Sequence, residues 1–191
     1  MRELEERILK DGKVLPGGVL KVGSFLNHCI DTTLLAHMAD EVADLYKDAG
    51  VTKILTIEAS GIALAAAAGM AMGVPVVFAK KHRTTNVDGG VHTTIVHSFT
   101  HNEDYNVVVA DDCMDETDNV LIIDDFLANG SALRGLIDLV TQAGASVAGV
   151  AVSVEKRFQS GGDEFRAKGI RVESLAMISA MTDDGQITFC S

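Results

Sequence analysis

Two adjacent acids, Asp124 and Asp125, stand at the end of an unbroken run of branched apolar residues, Val120-Leu121-Ile122-Ile123, and are followed by Ala128-Asn129-Gly130-Ser131-Ala132. The apolar run lacks polar alternation, the pattern of a parallel strand covered on both faces and placed centrally in its sheet. A helix-like stretch from Leu133 to Ala143 follows the small residues. A helix N-terminus offers unpaired N–H groups and a favourable dipole to an anion. Gly130 lets the backbone come close to that anion, and Ser131 adds a hydroxyl donor. Carboxylates beside a phosphate would repel it, so their chemistry is to accept hydrogen bonds from sugar hydroxyls or to act through a divalent cation. Strand, acid pair and phosphate loop together describe a sugar phosphate site; paired acids at a strand end also occur as mere solvated punctuation.

Other residues fit the same chemistry. A strand at Lys53–Ile57 runs into Glu58-Ala59-Ser60-Gly61, and the Ala-rich stretch Ile62–Met72 makes a helix behind it. This second strand-loop-helix unit is either an ordinary turn or a second anion loop, and two such loops suit a substrate with phosphates at both ends. Lys80-Lys81-His82-Arg83 is the densest positive cluster in an acidic chain. It reads as a solvated face or as a diphosphate contact, with Lys81 assigned to the latter. Thr84–Gly90 is polar and glycine-bearing, a loop able to close over a substrate. A buried strand at Val147–Val154 ends at Glu155-Lys156-Arg157, where open α/β sheets bind ligands, and Phe158 could stack on a flat base. His92, His97 and His101 lack ligand spacing, so no set of protein metal ligands is assigned.

These groups need elements to hold them. Leu4 and Ile8 mark a short amphipathic helix over Arg2–Lys10. Val14–Leu20 turns at Pro16-Gly17-Gly18, and Lys21–Asn27 shows partial strand alternation; together they form a small hood. Asp31 caps a helix through Lys47, with Leu34, Leu35, Met38, Val42 and Leu45 at helical spacing. Strands are expected at Pro75–Ala79, Thr94–Thr100, Asn106–Ala110, Arg171–Met181 and in the tail from Gln186, with a short helix at Asp163–Lys168. Asp111–Asp118 reads as a solvated acidic turn. The chain is then one α/β domain over residues 1–191, the first thirty or so contributing the hood.

Composition narrows the function. With 191 residues, 47% hydrophobic content and 2 prolines, the chain can bury a sizeable core. A net charge of -11 argues against a nucleic-acid partner, which needs a basic face. Cys29, Cys113 and Cys190 form neither a disulfide framework nor a zinc pattern. No apolar run approaches the ~20 residues of a membrane span, so a cytoplasmic protein is expected.

The wording IIDDFLANG resembles the phosphoribosyl pyrophosphate (PRPP) motif of the type I phosphoribosyltransferases, within them the bacterial purine-salvage members that act on xanthine, and the likeness covers nearly the whole chain. It implies that family's fold, a mostly parallel sheet flanked by helices under a hood, and transfer of phosphoribose from PRPP to xanthine with Mg²⁺ carried mainly by PRPP. It implies catalytic Asp124 and Asp125 on the ribose and Ala128, Asn129, Gly130, Ser131 and Ala132 on the 5'-phosphate. Glu58, Ala59, Ser60 and Gly61, with Lys81, would hold the diphosphate. Leu20, Asn27 and Lys156 would meet the purine, Lys156 at its exocyclic oxygen, with Phe158 beside them. A homodimer is implied, with the loop at Thr84–Gly90 shielding the reaction centre. The same PRPP residues would serve a transferase for guanine, hypoxanthine or adenine, although an ammonium disfavours a 6-amino base. A PRPP-sensing regulator would bind without catalysis.

Overall fold

A computed structural model of the chain describes residues 1–81, 90–98, 103–182 and 184–190. Most of the Thr84–Gly90 stretch, His82, Arg83, the end of the strand expected at Thr94–Thr100, and His101 lie outside the described residues.

Helix α1 (Arg2–Asp11) buries Leu4 and Ile8, the two apolar residues one turn apart. Strands β1 (Lys13–Leu15) and β2 (Val19–Lys21) pair antiparallel as the hood hairpin. Strand alternation does not continue to Asn27: Gly23–Asn27 winds into a wide helical turn. Phe25 and Leu26 are neighbours and both are buried, which a strand with period two cannot achieve against one core. Helix α2 (Thr32–Tyr46) starts where expected, with the Asp31 carboxylate accepting the N–H groups of Thr33 and Leu34 at 3.1 Å each, a cap worth about 1 kcal/mol.

Strand β3 (Lys53–Ile57), helix α3 (Gly61–Met72) and strand β4 (Val76–Lys81) form the first crossover unit. Strands β5 (Val91–Ser98) and β6 (Glu103–Ala110) pair antiparallel. Strand β7 (Asn119–Leu127), helix α4 (Ser131–Gln142) and strand β8 (Ser146–Lys156) form the second crossover. Helix α5 (Gly161–Ala167) leads into strands β9 (Val172–Met181) and β10 (Ile187–Phe189).

The eight strands lie in the order β10-β9-β8-β7-β3-β4-β6-β5, parallel from β9 to β4 and antiparallel at both margins. This is the α/β sheet expected, with β7 central. One apolar cluster joins α1, the hood, α2 and α3 to the sheet, with Ile8, Phe25, Met38 and Leu64 in it; the other lies under α4 and α5, around Ile122, Leu136 and Phe165.

Two further expectations are corrected. Strand β7 does not stop before the acids but runs through them to Leu127, because Asp124 and Phe126 stay in register with Val152 and Val154 of β8. The acidic stretch is not merely a solvated turn either. Asp118 is 8% exposed and accepts from Lys53 Nζ at 2.7 Å, Thr52 Oγ1 at 3.1 Å and the Asp115 N–H at 3.0 Å.

Candidate functional site

Three parallel strands deliver their carboxyl ends to one open cleft of about 260 Å³. The turn after β3 brings Glu58, Ala59 and Ser60; β4 brings Lys81; β7 brings Asp124, Asp125 and the loop after it. Both strand-loop-helix units singled out in the sequence therefore face the same space. The first of them is tied to the end of β4 by the Glu58 carboxylate, which accepts the Lys81 N–H at 2.6 Å. The Glu58–Ala59 peptide is cis, and Gly61 is the buried first residue of α3.

The acid pair is electrostatically unfinished. Among the described residues the Asp124 side chain has no cationic partner within ion-pair distance; its Oδ1 accepts the Asp125 N–H at 2.9 Å. Burial, and then the charge of Asp125, push the Asp124 carboxyl well above the usual carboxylate range, while Lys81 acts weakly in the opposite sense. A positively charged or hydroxyl-rich ligand would supply what the fold leaves out. Asp125 Oδ2 accepts from Asn27 Nδ2 at 3.2 Å, linking this pair to the hood.

After β7 the loop is shaped for an anion. Gly130 adopts φ of +79°, a left-handed geometry that favours glycine, and caps α4. The Asn129 side chain accepts the Ser131 N–H at 3.1 Å, tightening the turn. Ala128, Asn129, Ser131 and Ala132 all line the cleft, at the N-terminus of a helix of 12 residues.

On the hood side, Lys156 is half-buried at the end of β8. Its ammonium donates to the Gly18 carbonyl at 2.8 Å and lies 5.6 Å above the Phe126 ring centroid. Burial lowers its pKa. Phe158 is 44% exposed, with its ring against the Gly18 turn. Asn27 ends the wide helical turn, and the Leu20 side chain is buried in the core beneath the hood. The bond from Asn27 to Asp125 connects this side of the molecule to the acid pair.

Comparison with known proteins agrees with this geometry. A family model described as a phosphoribosyl transferase domain matches residues 30–180. The chain belongs to the phosphoribosyltransferase family. Xanthine phosphoribosyltransferase of Finegoldia magna is 52% identical to it over 187 residues, covering 98% of each chain. The protein of that name from Limosilactobacillus fermentum is 48% identical over 189 residues, 99% of this chain and 96% of the relative. Among solved structures, the Giardia lamblia adenine phosphoribosyltransferase bound to 9-deazaadenine superposes with a TM-score of 0.78 at 23% identity, covering 91% of this chain and 97% of that one. The fold is the type I phosphoribosyltransferase fold.

This phosphoribosyltransferase cleft also draws on residues that sequence reading did not single out for it. Val96, His97 and Tyr105 of β5 and β6 line its wall, and the Lys81 ammonium lies 5.6 Å from the Tyr105 ring centroid. No spacing marks them, because they reach the site only when the hairpin joins the sheet edge beside β4. No helix among the described residues is long and apolar enough to cross a bilayer.

Proposed function

We propose that the protein transfers the 5-phosphoribosyl group of PRPP to xanthine, giving xanthosine 5'-monophosphate and pyrophosphate, in purine salvage. The observation that carries this reading is the pair of strand-loop-helix turns flanking Asp124 and Asp125 in one cleft, with Asn27 bonded to Asp125 and Lys156 bonded to the Gly18 carbonyl of the hood. Full-length relatives that carry the xanthine name support the choice of base.

Ala128–Ala132 hold the 5'-phosphate through backbone N–H groups and the Ser131 hydroxyl. Glu58–Gly61, with Lys81, hold the diphosphate. Asp124 and Asp125 take the ribose hydroxyls and face the positive charge that develops at the anomeric carbon as pyrophosphate leaves. The purine ring nitrogen then attacks in line, positioned by Leu20, Asn27, Lys156 and Phe158, and no covalent enzyme intermediate is needed.

Among the described residues no three metal-ligating side chains converge. A few carboxylates on an open cleft fit Mg²⁺ held mainly by diphosphate oxygens and water, with Asp124, Asp125 and Glu58 in reach of such a complex. When bound, that ion neutralises phosphate charge. In this reading residues 1–191 act as one domain with the first thirty or so as its hood, in a cytoplasmic homodimer.

The test is pyrophosphate release from PRPP and Mg²⁺ with xanthine, guanine, hypoxanthine and adenine offered separately. Xanthine is expected to be turned over fastest. Preference for another base would overturn the base pocket while keeping the PRPP site, and PRPP binding without turnover of any base would identify a regulator.

A further inference from the structure

Helix α5 lies outside the cleft, yet its contacts converge on the loop 128–132. Glu155, fully buried near the end of β8, gives one carboxylate oxygen to each terminal nitrogen of Arg166, at 2.7 Å and 2.7 Å. Ser174 Oγ donates to the same carboxylate, and Arg166 Nη2 also reaches the Val172 carbonyl at 3.2 Å. Burial raises the Glu155 pKa, but the bonds from Arg166 and Ser174 and the guanidinium charge outweigh it, and the carboxyl sits below its usual range. A buried fork of this kind fixes α5 against β8 and β9.

At its other face α5 meets the loop. The Gly161 N–H donates to the Ala128 carbonyl at 3.1 Å, and the approach is so close that a β carbon at Gly161 would lie 2.3 Å from that oxygen. Phe165 is buried against Gly130, where an added β carbon would lie 2.7 Å from its ring. Glu164 pairs with Arg134 at 2.6 Å, and Arg134 Nη2 donates to the Asn129 carbonyl at 3.0 Å. The Gly130 carbonyl accepts the Arg134 N–H at 2.9 Å. Three successive carbonyls of the loop are thus held by donors.

A carbonyl aimed at a phosphate repels it, and an N–H aimed at it attracts it. Which way the peptide units face decides whether this loop binds an anion. We infer that Arg166 is a positioning residue for the 5'-phosphate: with Glu155 it anchors α5, and α5, together with Arg134, keeps the Ala128 and Asn129 carbonyls turned away from the anion. The inference rests on the phosphoribosyl reading above and extends it to residues that touch no substrate.

The two phosphate loops supply the test, since α5 contacts only the one after β7. Ribose 5-phosphate and Mg²⁺-pyrophosphate are titrated separately by calorimetry into the wild type and into Arg166→Met, Arg166→Lys and Arg134→Met. Ribose 5-phosphate should bind about tenfold more weakly to Arg166→Met, with a smaller loss for Arg166→Lys, which keeps the charge but not the fork. Pyrophosphate affinity should stay within about twofold, as expected for a site that shares none of these contacts. Equal losses for both ligands, or none for ribose 5-phosphate, would overturn the inference. If Arg166→Met does not fold, the exposed Arg134→Met decides by the same comparison. A wild type that binds neither ligand would overturn the phosphoribosyl reading, and this inference with it; a wild type that binds both, beside unchanged variants, would overturn only the role of α5.

Discussion

Asp118, one residue before β7, is buried, Asp124, near the far end of that strand, is half-buried at the cleft, and their surroundings drive them in opposite directions. Burial raises the pKa of each. At Asp118 the Lys53 ammonium and the donors from Asp115 and Thr52 outweigh burial and hold the carboxyl below its usual range. At Asp124 the N–H of Asp125 and the charge of Lys81 do not offset burial and the like charge of Asp125, and the carboxyl is held well above it. A satisfied carboxylate is part of the fold. An unsatisfied one stores a demand that only a ligand can meet, and it stands where the cleft opens.

The largest expected effect breaks the unsatisfied end. Asp124→Asn combined with Asp125→Asn should cut xanthine-dependent pyrophosphate release by about 10³-fold, the scale of losing preorganised charge at a reaction centre. The protein should stay folded, as thermal melting would show; near-normal turnover would remove the pair from the mechanism.

The satisfied end should respond in stability instead. Asp118→Asn is expected to cost about 1–3 kcal/mol by urea unfolding, leaving the activity of the folded fraction intact. The two ends also carry opposite pH signs. Asp124 binds its proton more tightly folded than unfolded, so its contribution to stability falls as pH rises from the ordinary aspartate range through its own raised value. Asp118 binds its proton less tightly folded, so its contribution is present above the ordinary range and is lost as pH falls through its own lowered value. Asp124→Asn alone should therefore be more stable than wild type at neutral pH, with the gain vanishing in acid. The deficit of Asp118→Asn should shrink in acid. Parallel pH profiles for the two variants would contradict the contrast.

Two lysines repeat the comparison on a smaller scale. Lys53 ends on the Asp118 carboxylate and the Cys113 carbonyl, whereas Lys156 ends on the neutral Gly18 carbonyl, and burial lowers its pKa. Lys156→Met should raise the KM for xanthine about tenfold, the worth of one charge-assisted hydrogen bond, with the KM for PRPP unchanged. Lys53→Met should lower the unfolding midpoint without moving either KM.

Much of this architecture was legible in the chain. The branched run at Val120–Ile123 marked a central strand, Lys53–Ile57 marked another, and Asp31 marked the start of α2, because burial on two faces and helix capping are local constraints on residue type. Both strand-loop-helix turns that meet in the cleft were legible for the same reason: small residues between a strand and a helix are a local pattern. The wide turn at Gly23–Asn27 was not, since Phe25 and Leu26 take their conformation from the core they enter. The role of Asp118 was hidden among neighbouring acids because its cation lies 65 residues away. The Gly161-Gly162 pair carried no message until Glu155 and Ala128 were seen against it.

The sequence by itself determined most of the strands and helices, the two strand-loop-helix turns and the place of the acid pair, each set by residues within one or two turns of chain. Only the tertiary structure decided which charges are satisfied. Asn27 meets Asp125 across 98 residues and Lys156 meets Gly18 across 138. Such partners are chosen by packing of the sheet and hood rather than by spacing, and whether a buried carboxylate becomes a structural tie or a binding group depends on who is packed beside it.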